Sequence, residues 1–204
     1  KKNYKIFIDY AHTPEALKQA LLSQTCKGKK PNIIFGCGGN RDKDKRSKMG
    51  CIANKFANIY EGSSENVLSR YYGAAKKFSS DIIIRITSDC PLIDSKILDQ
   101  MILKFIDSNV DFLSNTLNPT FPDGYDVEIF DFNTLKKTYA EAKSLKDKEH
   151  VTLYIKKNED KFKLQNFTYS NNLSNLRLTI DEEIDYQLIN NLTKLMKNKH
   201  FFGL

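Results

Sequence analysis

Asp81-Ile-Ile-Ile-Arg-Ile-Thr-Ser-Asp-Cys-Pro-Leu-Ile-Asp94 is the stretch on which the fold turns. The run Asp81 to Ile86, apolar except for its first residue and Arg85, predicts a strand covered on both faces. A short polar turn carrying Asp89 follows, and Asp94 then opens a helix-period segment to Ser108, its carboxylate suited to the N-cap. A strand, a loop and a helix in this order put the loop at the carboxyl edge of a parallel sheet, where ligands bind in open α/β folds.

Working outward, Asp111-Phe-Leu-Ser114 reads as the next strand, and Glu65 to Phe78 as the helix before the first. Further on, Val127-Glu-Ile-Phe130, Lys163-Leu-Gln-Asn-Phe167 and Leu176-Arg-Leu-Thr-Ile180 are expected to be strands. Helices are expected near Asn133 to Ser144, His150 to Asn158 and Glu183 to Lys197. Towards the amino end, Lys5-Ile-Phe-Ile8 and Asn32-Ile-Ile-Phe35 read as buried strands. Thr13 would cap a helix with Pro14 at its first position, and Ser47 would cap another with Met49, Ile52, Ala53 and Phe56 inward. Alternating strands and helices with apolar strands predict an α/β fold, a three-layer αβα arrangement on a mainly parallel sheet.

The charge changes partway along. Residues 1–58 hold 13 Lys and Arg against 4 Asp and Glu, whereas residues 59–204 hold 19 against 21. The overall +7 is therefore local, concentrated in Lys27-Gly-Lys-Lys30 and Arg41-Asp-Lys-Asp-Lys-Arg46. These read as solvated loops, with a phosphate-facing loop as the alternative. They do not interleave with aromatics as a nucleic-acid surface would, so no nucleic-acid partner is expected. Without a run of ~18 apolar residues or a secretory segment, no membrane association is expected and the chain reads as cytoplasmic. Cys26, Cys37, Cys51 and Cys90 lack metal-type spacing and read as free, buried thiols. The first residue is Lys, so an upstream piece is expected.

Asp9-Tyr-Ala-His-Thr-Pro14, Gly36-Cys-Gly-Gly-Asn-Arg-Asp-Lys-Asp-Lys-Arg46 and Met49-Gly50 resemble the Mur ligases, most closely the synthetases that add an amino acid to UDP-N-acetylmuramoyl-dipeptide. The likeness covers about residues 4–57 and implies a βαβα piece of the ligase C-terminal domain. By that likeness Asp9 and His12 would lie near nucleotide, and Arg41 or Arg46 near substrate. The alternatives are a turn before Pro14 and solvated arginines. The family's glycine loop with its lysine, its central domain and its Asp-Asn-Pro-Arg motif do not occur in this sequence.

A different series follows: Glu61-Gly-Ser-Ser-Glu-Asn-Val-Leu-Ser-Arg-Tyr-Tyr72, Arg85 to Asp94, Ser114-Asn115, Pro122-Asp-Gly-Tyr-Asp-Val-Glu128, Glu149-His-Val-Thr152 and Arg177-Leu-Thr-Ile-Asp181. In this order the motifs resemble the spore coat polysaccharide biosynthesis protein F family, related to the acylneuraminate cytidylyltransferases. The likeness spans about residues 60–200 and implies a nucleotide-diphospho-sugar transferase fold. The implied activity is coupling of a sugar to a nucleoside triphosphate, CTP by relation, with release of pyrophosphate. The family's front loop, ending in Arg-Leu-Pro-Gly-Lys, is replaced here by the Mur-like piece. The expected division is thus residues 1–58 and 59–204, a chimera arising by gene fusion, deletion or sequence misassembly.

The reaction needs a hydroxyl aimed at an α-phosphate and a cation to take up developing charge. Mg²⁺ asks for one or two carboxylates. Asp89 and Asp181, each after an expected strand, would form that metal pair by resemblance; as alternatives they cap local turns. Asp123, Asp126 and Glu128 surround Gly124 and are candidates for sugar hydroxyls or a second cation, with Asp126 and Glu128 on one strand face. Arg85 and Arg177 would point to the same edge. His150 could contact phosphate or move a proton near neutral pH, or sit structurally at a helix end. Other readings are a Mur-type ATP-binding remnant and a non-catalytic sugar-binding or scaffold module. Oligomeric state is open in the sequence, with a homodimer as one candidate.

Overall fold

The structure is a computed structural model, and it describes residues 14–24, 30–31, 33, 43–60, 62–63, 65–87 and 89–196. The chain divides into two compact units, Lys1–Glu61 and Gly62–Leu204.

In the first unit, α1 (Pro14–Gln24) packs on α2 (Lys43–Phe56). Leu17 and Leu21 of α1 meet Met49 and Ala53 of α2 and Ala57 just beyond it, which together form a small apolar core. Proline at the first position of α1 suits a site whose N–H needs no helical partner. Helix α2 starts at Lys43, so Ser47 lies inside it instead of capping it. The reason is local: Lys and Arg are strong helix formers. Beyond α2, Asn58 closes on the chain near Pro31 through Asn58 N–H to Pro31 O at 2.9 Å and Ile33 N–H to Asn58 O at 3.3 Å. The strands expected at residues 5–8 and 32–35, the Thr13 cap, Cys26 and Cys37 lie outside the described residues, apart from Ile33.

The second unit is built on a sheet of β1 (Ile82–Arg85), β2 (Phe112–Ser114), β3 (Glu128–Asp131) and β4 (Leu164–Asn166), ordered β1-β3-β2-β4. Strands β1, β2 and β4 run one way and β3 lies antiparallel between β1 and β2. Pleating sends alternate residues to opposite faces. Leu113 and Ile129 join one core with Leu98, Met101 and Phe105 of α4 (Ser95–Asp107). Phe112 and Phe130 join the other with Leu68 of α3 (Val67–Lys77) and Leu135 of α5 (Phe132–Glu141). Helices therefore cover both faces, giving the three layers that the alternation predicts.

Three helices complete the unit: α6 (Leu145–Glu149), α7 (Leu153–Lys157) and α8 (Glu183–Leu195). Asp94 caps α4, its carboxylate accepting from Lys96 N–H at 2.8 Å. Residues 176–180 form no strand; their backbone pairs with loops through one bridge, Asp123 to Arg177. Cys90 is buried as expected, while Cys51 is exposed, and both are free thiols. Among the described residues no helix is long and apolar enough to cross a membrane.

Candidate active site

Three loops meet at the carboxyl end of β1 and β2. The first follows β1 and carries Asp89. The second, Pro122 to Val127, leads into β3, and the third is residues 176–181. The third loop is bonded to both of the others. Ile180 N–H donates to Asp89 O at 2.9 Å, and Thr179 Oγ1 donates to the same carbonyl at 3.0 Å. Asp123 N–H donates to Leu176 O at 2.9 Å, and Leu178 N–H to Asp123 O at 2.7 Å.

Gly124 makes that docking possible. Its φ is +102°, and a Cβ there would sit 2.5 Å from the Leu178 carbonyl carbon and from Thr179 N. Only glycine combines that conformation with so close a backbone approach. Asn115, buried just after β2, fixes the other side of the same loop. Its Nδ2 donates to Tyr125 O at 2.7 Å and its Oδ1 accepts from Val127 N–H at 2.9 Å, standing in for a strand pair. The fold thus brings the Asp89, Asp123–Asp126 and Asp181 segments to one edge.

Two charge networks lie there. In the first, Glu128 is buried at 3% exposure, in register with Arg85 of β1 and Ser114 of β2. Its Oε2 meets Arg85 Nη1 at 2.7 Å, its Oε1 meets Lys156 Nζ at 2.6 Å, and Thr152 Oγ1 lies 3.0 Å from both oxygens. Burial pushes the Glu128 carboxyl up, but Lys156 and then Arg85 outweigh it, and the group is held below the ordinary carboxylate range. Lys156 also donates to Thr116 Oγ1 at 3.0 Å.

In the second network Arg177 gathers three carboxylates. Nη1 meets Asp123 Oδ2 at 2.9 Å, Nη2 meets Asp181 Oδ2 at 2.6 Å, and Nε meets Asp185 Oδ1 at 3.0 Å. Asp185 also accepts the N–H groups of Asp181 and Glu182 at 3.0 Å, as part of the capping box that opens α8. Arg177 and those two N–H groups hold the Asp185 carboxyl well below its usual range.

Asp126 sits between the networks. Burial, and then the neighbouring negative charges of Asp123 and Glu128, push its carboxyl up; Asp89 adds to this. Burial likewise pushes the Cys90 thiol up to about 12, so it is no nucleophile.

Of the residues singled out by sequence, Asp89, Asp123, Asp126, Asp181, Arg85, Glu128 and Arg177 come to this edge. Arg177 does so as the hub of an ion-pair cluster. His150 is exposed at the end of α6, its N–H donating to Lys146 O at 2.8 Å and its carbonyl accepting from Leu153 N–H at 2.7 Å. Asp9, His12 and Arg41 lie outside the described residues; Arg46 falls within α2, which is described there by its backbone. Lys156, Thr152 and Asn115 carry no signal as site residues in the sequence, although Thr152 and Asn115 fall within quoted motifs.

The donor chemistry fits a divalent cation. Mg²⁺ takes one or two protein carboxylates and fills its shell with water and phosphate oxygens. Asp89 and Asp181 lie on segments joined by the Ile180–Asp89 hydrogen bond, and like charge from Asp123 and Glu128 crowds Asp126 beside them. Among the described residues there is no group of three or more His, Cys, Asp or Glu placed to enclose a metal.

The sequence profile of the family described as Cytidylyltransferase matches residues 44–202. That described as Mur ligase, glutamate ligase domain, matches residues 1–64. The two overlap over residues 44–64, a stretch that contains most of α2. An uncharacterised protein of Methanocaldococcus jannaschii is 37% identical over 139 residues, covering 67% of this chain and 56% of its own length. A UDP-N-acetylmuramoyl-L-alanyl-D-glutamate–2,6-diaminopimelate ligase of Prochlorococcus marinus is 52% identical over 62 residues, 30% of this chain and 12% of the ligase. The chain therefore spans just over half of one curated relative and a small part of the other. The solved structure of a cytidylyltransferase from Leptospira borgpetersenii superposes with a TM-score of 0.70 at 28% identity, covering 95% of this chain and 88% of that one.

Proposed function

This chain belongs to the cytidylyltransferase family over residues 44–202, and from that premise we propose that it activates a sugar for cell-surface polysaccharide with CTP, releasing pyrophosphate. The observation that carries the reading is the joining of the Asp89 and Asp181 segments at the strand ends through Ile180 N–H to Asp89 O. Function in such folds sits at that edge.

Asp89 and Asp181 would hold Mg²⁺, with Asp181 exchanging its contact to Arg177 Nη2 for the cation. Bound there, Mg²⁺ would neutralise charge on the phosphates. The protein's own part is positioning. Asp123 and Asp126 would present carboxylate oxygens to sugar hydroxyls, Asp126 from a partly buried position. Arg85 offers guanidinium N–H groups to an oxyanion. The sugar hydroxyl attacks the α-phosphorus and gives up its proton to solvent, the bond from that phosphorus to the bridging β-phosphate oxygen breaks, and pyrophosphate leaves.

The test is a pyrophosphate-release assay with the whole chain, each nucleoside triphosphate in turn, Mg²⁺ and a panel of sugars that includes sugar acids. Release with CTP and a sugar, absent without Mg²⁺, is the expected result. Release with no nucleotide under any pairing would contradict the reading.

A second reading rests on the Mur ligase match over residues 1–64. It makes the first unit an ATP-contacting remnant of peptidoglycan precursor ligation, with Asp9, His12, Arg41 and Arg46 as its contacts. That reading expects ATP binding that is sensitive to Asp9→Ala or His12→Ala. ATP bound equally by those variants would exclude it.

A further inference from the structure

Glu128 is committed inside the protein and buried away from a sugar. A carboxylate offers about four lone-pair sites, and three donors occupy it: Lys156 at Oε1, Arg85 at Oε2 and the single hydroxyl of Thr152 lying between the two oxygens. The two cations, by contrast, are only partly spent. The Lys156 ammonium has three donors, of which Glu128 and Thr116 take two. Arg85 has five, of which Glu128 takes one and Tyr71 another. Their side chains are 31% and 23% exposed, whereas the carboxylate between them is 4% exposed. Within this group alone, one buried negative charge stands against two cations, so each cation keeps attraction to spare for a second anion. Arg85 is close enough to Asp89 for the two charges to interact, and Lys156 likewise to Asp126.

Resting on the transferase reading, we propose that Lys156 and Arg85 form an oxyanion-binding pair for a substrate of this site and that Glu128 is their positioning residue. A lysine and an arginine brought to one side by separate elements, α7 and β1, would otherwise repel. The buried carboxylate holds both at fixed distance, and Thr152 from the start of α7 fixes the carboxylate in turn. The bound group is an oxyanion, supplied either by the phosphates of the nucleotide or by an acidic group on the sugar.

The experiment titrates the whole protein calorimetrically, at constant ionic strength, with inorganic pyrophosphate and separately with glucuronate. It compares the parent, Lys156→Met, Lys156→Arg and Glu128→Gln. A lost charge-assisted hydrogen bond should weaken binding by about tenfold or more in Lys156→Met, with Lys156→Arg recovering most of it. Glu128→Gln removes a negative charge, which by Coulomb's law alone tightens anion binding; weaker binding in this variant marks misplacement of the cations. An effect on pyrophosphate assigns the oxyanion to the nucleotide, and one on glucuronate alone assigns it to the sugar. Either supports the pair. Binding of both probes unchanged in Lys156→Met, or neither probe bound by the parent, overturns it. Should Glu128→Gln fail to fold, the solvent-reaching Lys156 variants still decide. No turnover is needed, so a failed oxyanion pair and a failed transferase reading remain separate results.

Discussion

Two ion-pair networks of opposite sign stand at the same edge of the sheet, and they differ chiefly in water. Around Glu128 one anion is buried between two cations; around Arg177 one cation, 47% exposed, lies among three carboxylates. Desolvated charge must be paired, because an orphaned buried ion is costly, whereas exposed pairs contribute little and are screened by salt. The first network is thus a fixed part of the fold and the second a rearrangeable one. This difference suits their proposed roles: Asp181 has to change partners when a cation arrives, and Lys156 and Arg85 have to stay in place.

The largest effect is expected from Glu128→Ala, which leaves two cations facing each other in a partly dry site. It should cost about 3 kcal/mol in urea unfolding, the lower end of what breaking a buried pair costs, because both cations reach water. Gly124→Ala comes next, at roughly 2 kcal/mol, since its +102° φ and the Leu178–Thr179 backbone leave no room for Cβ. A loss below about half a kcal/mol would show that the two loops are not docked as described.

The acid limb sharpens the contrast through sign. The Glu128 carboxyl is depressed in the folded state, so its contribution is fully present above its ordinary 4.5 and fades as pH falls through the lower folded value. The deficit of Glu128→Gln should accordingly shrink in acid. Asp126 is raised, so its ionised form destabilises the fold; that cost is full above the folded value and vanishes as pH falls through the ordinary 3.8. Asp126→Asn should therefore stabilise the protein at neutral pH, by less than about 1 kcal/mol, with the gain disappearing in acid. Equal slopes for the two variants in pH-dependent unfolding would contradict the assignment.

Arg177→Met should have the smallest effect, a slight fall in Tm that diminishes further in high salt. Asp185 keeps its two backbone donors from Asp181 and Glu182 when the arginine is gone. A large salt-independent fall would place this network among the rigid parts of the fold.

Much of the architecture was legible because its signals are local. The apolar run at Ile82, the Asp94 cap and the two-residue alternation of Phe112-Leu113 and Ile129-Phe130 each specify an element and its buried face. Leu176 to Ile180 misled for a physical reason. Its chain is bonded like a strand, but its partners are Asp123 and Asp89 in loops, so no ladder forms although Leu178 and Ile180 do pack on the core. Ser47 misled because the helix propensity of the preceding lysines and arginine carries the helix back past it to Lys43.

The site was legible as far as its acidic motifs. Lys156 was not, because a lysine in a short helix carries no local mark of its partner, Glu128, on a distant strand. Nor did sequence distinguish an arginine that is free for substrate from one, like Arg177, already surrounded by carboxylates.

The most direct test of the transferase account is calorimetric titration of CTP into the whole protein with and without Mg²⁺, for the parent and for Asp89→Ala. The account predicts Mg²⁺-dependent binding that Asp89→Ala abolishes while its unfolding transition stays cooperative. CTP bound equally well by Asp89→Ala, or equally well without the cation, would contradict it.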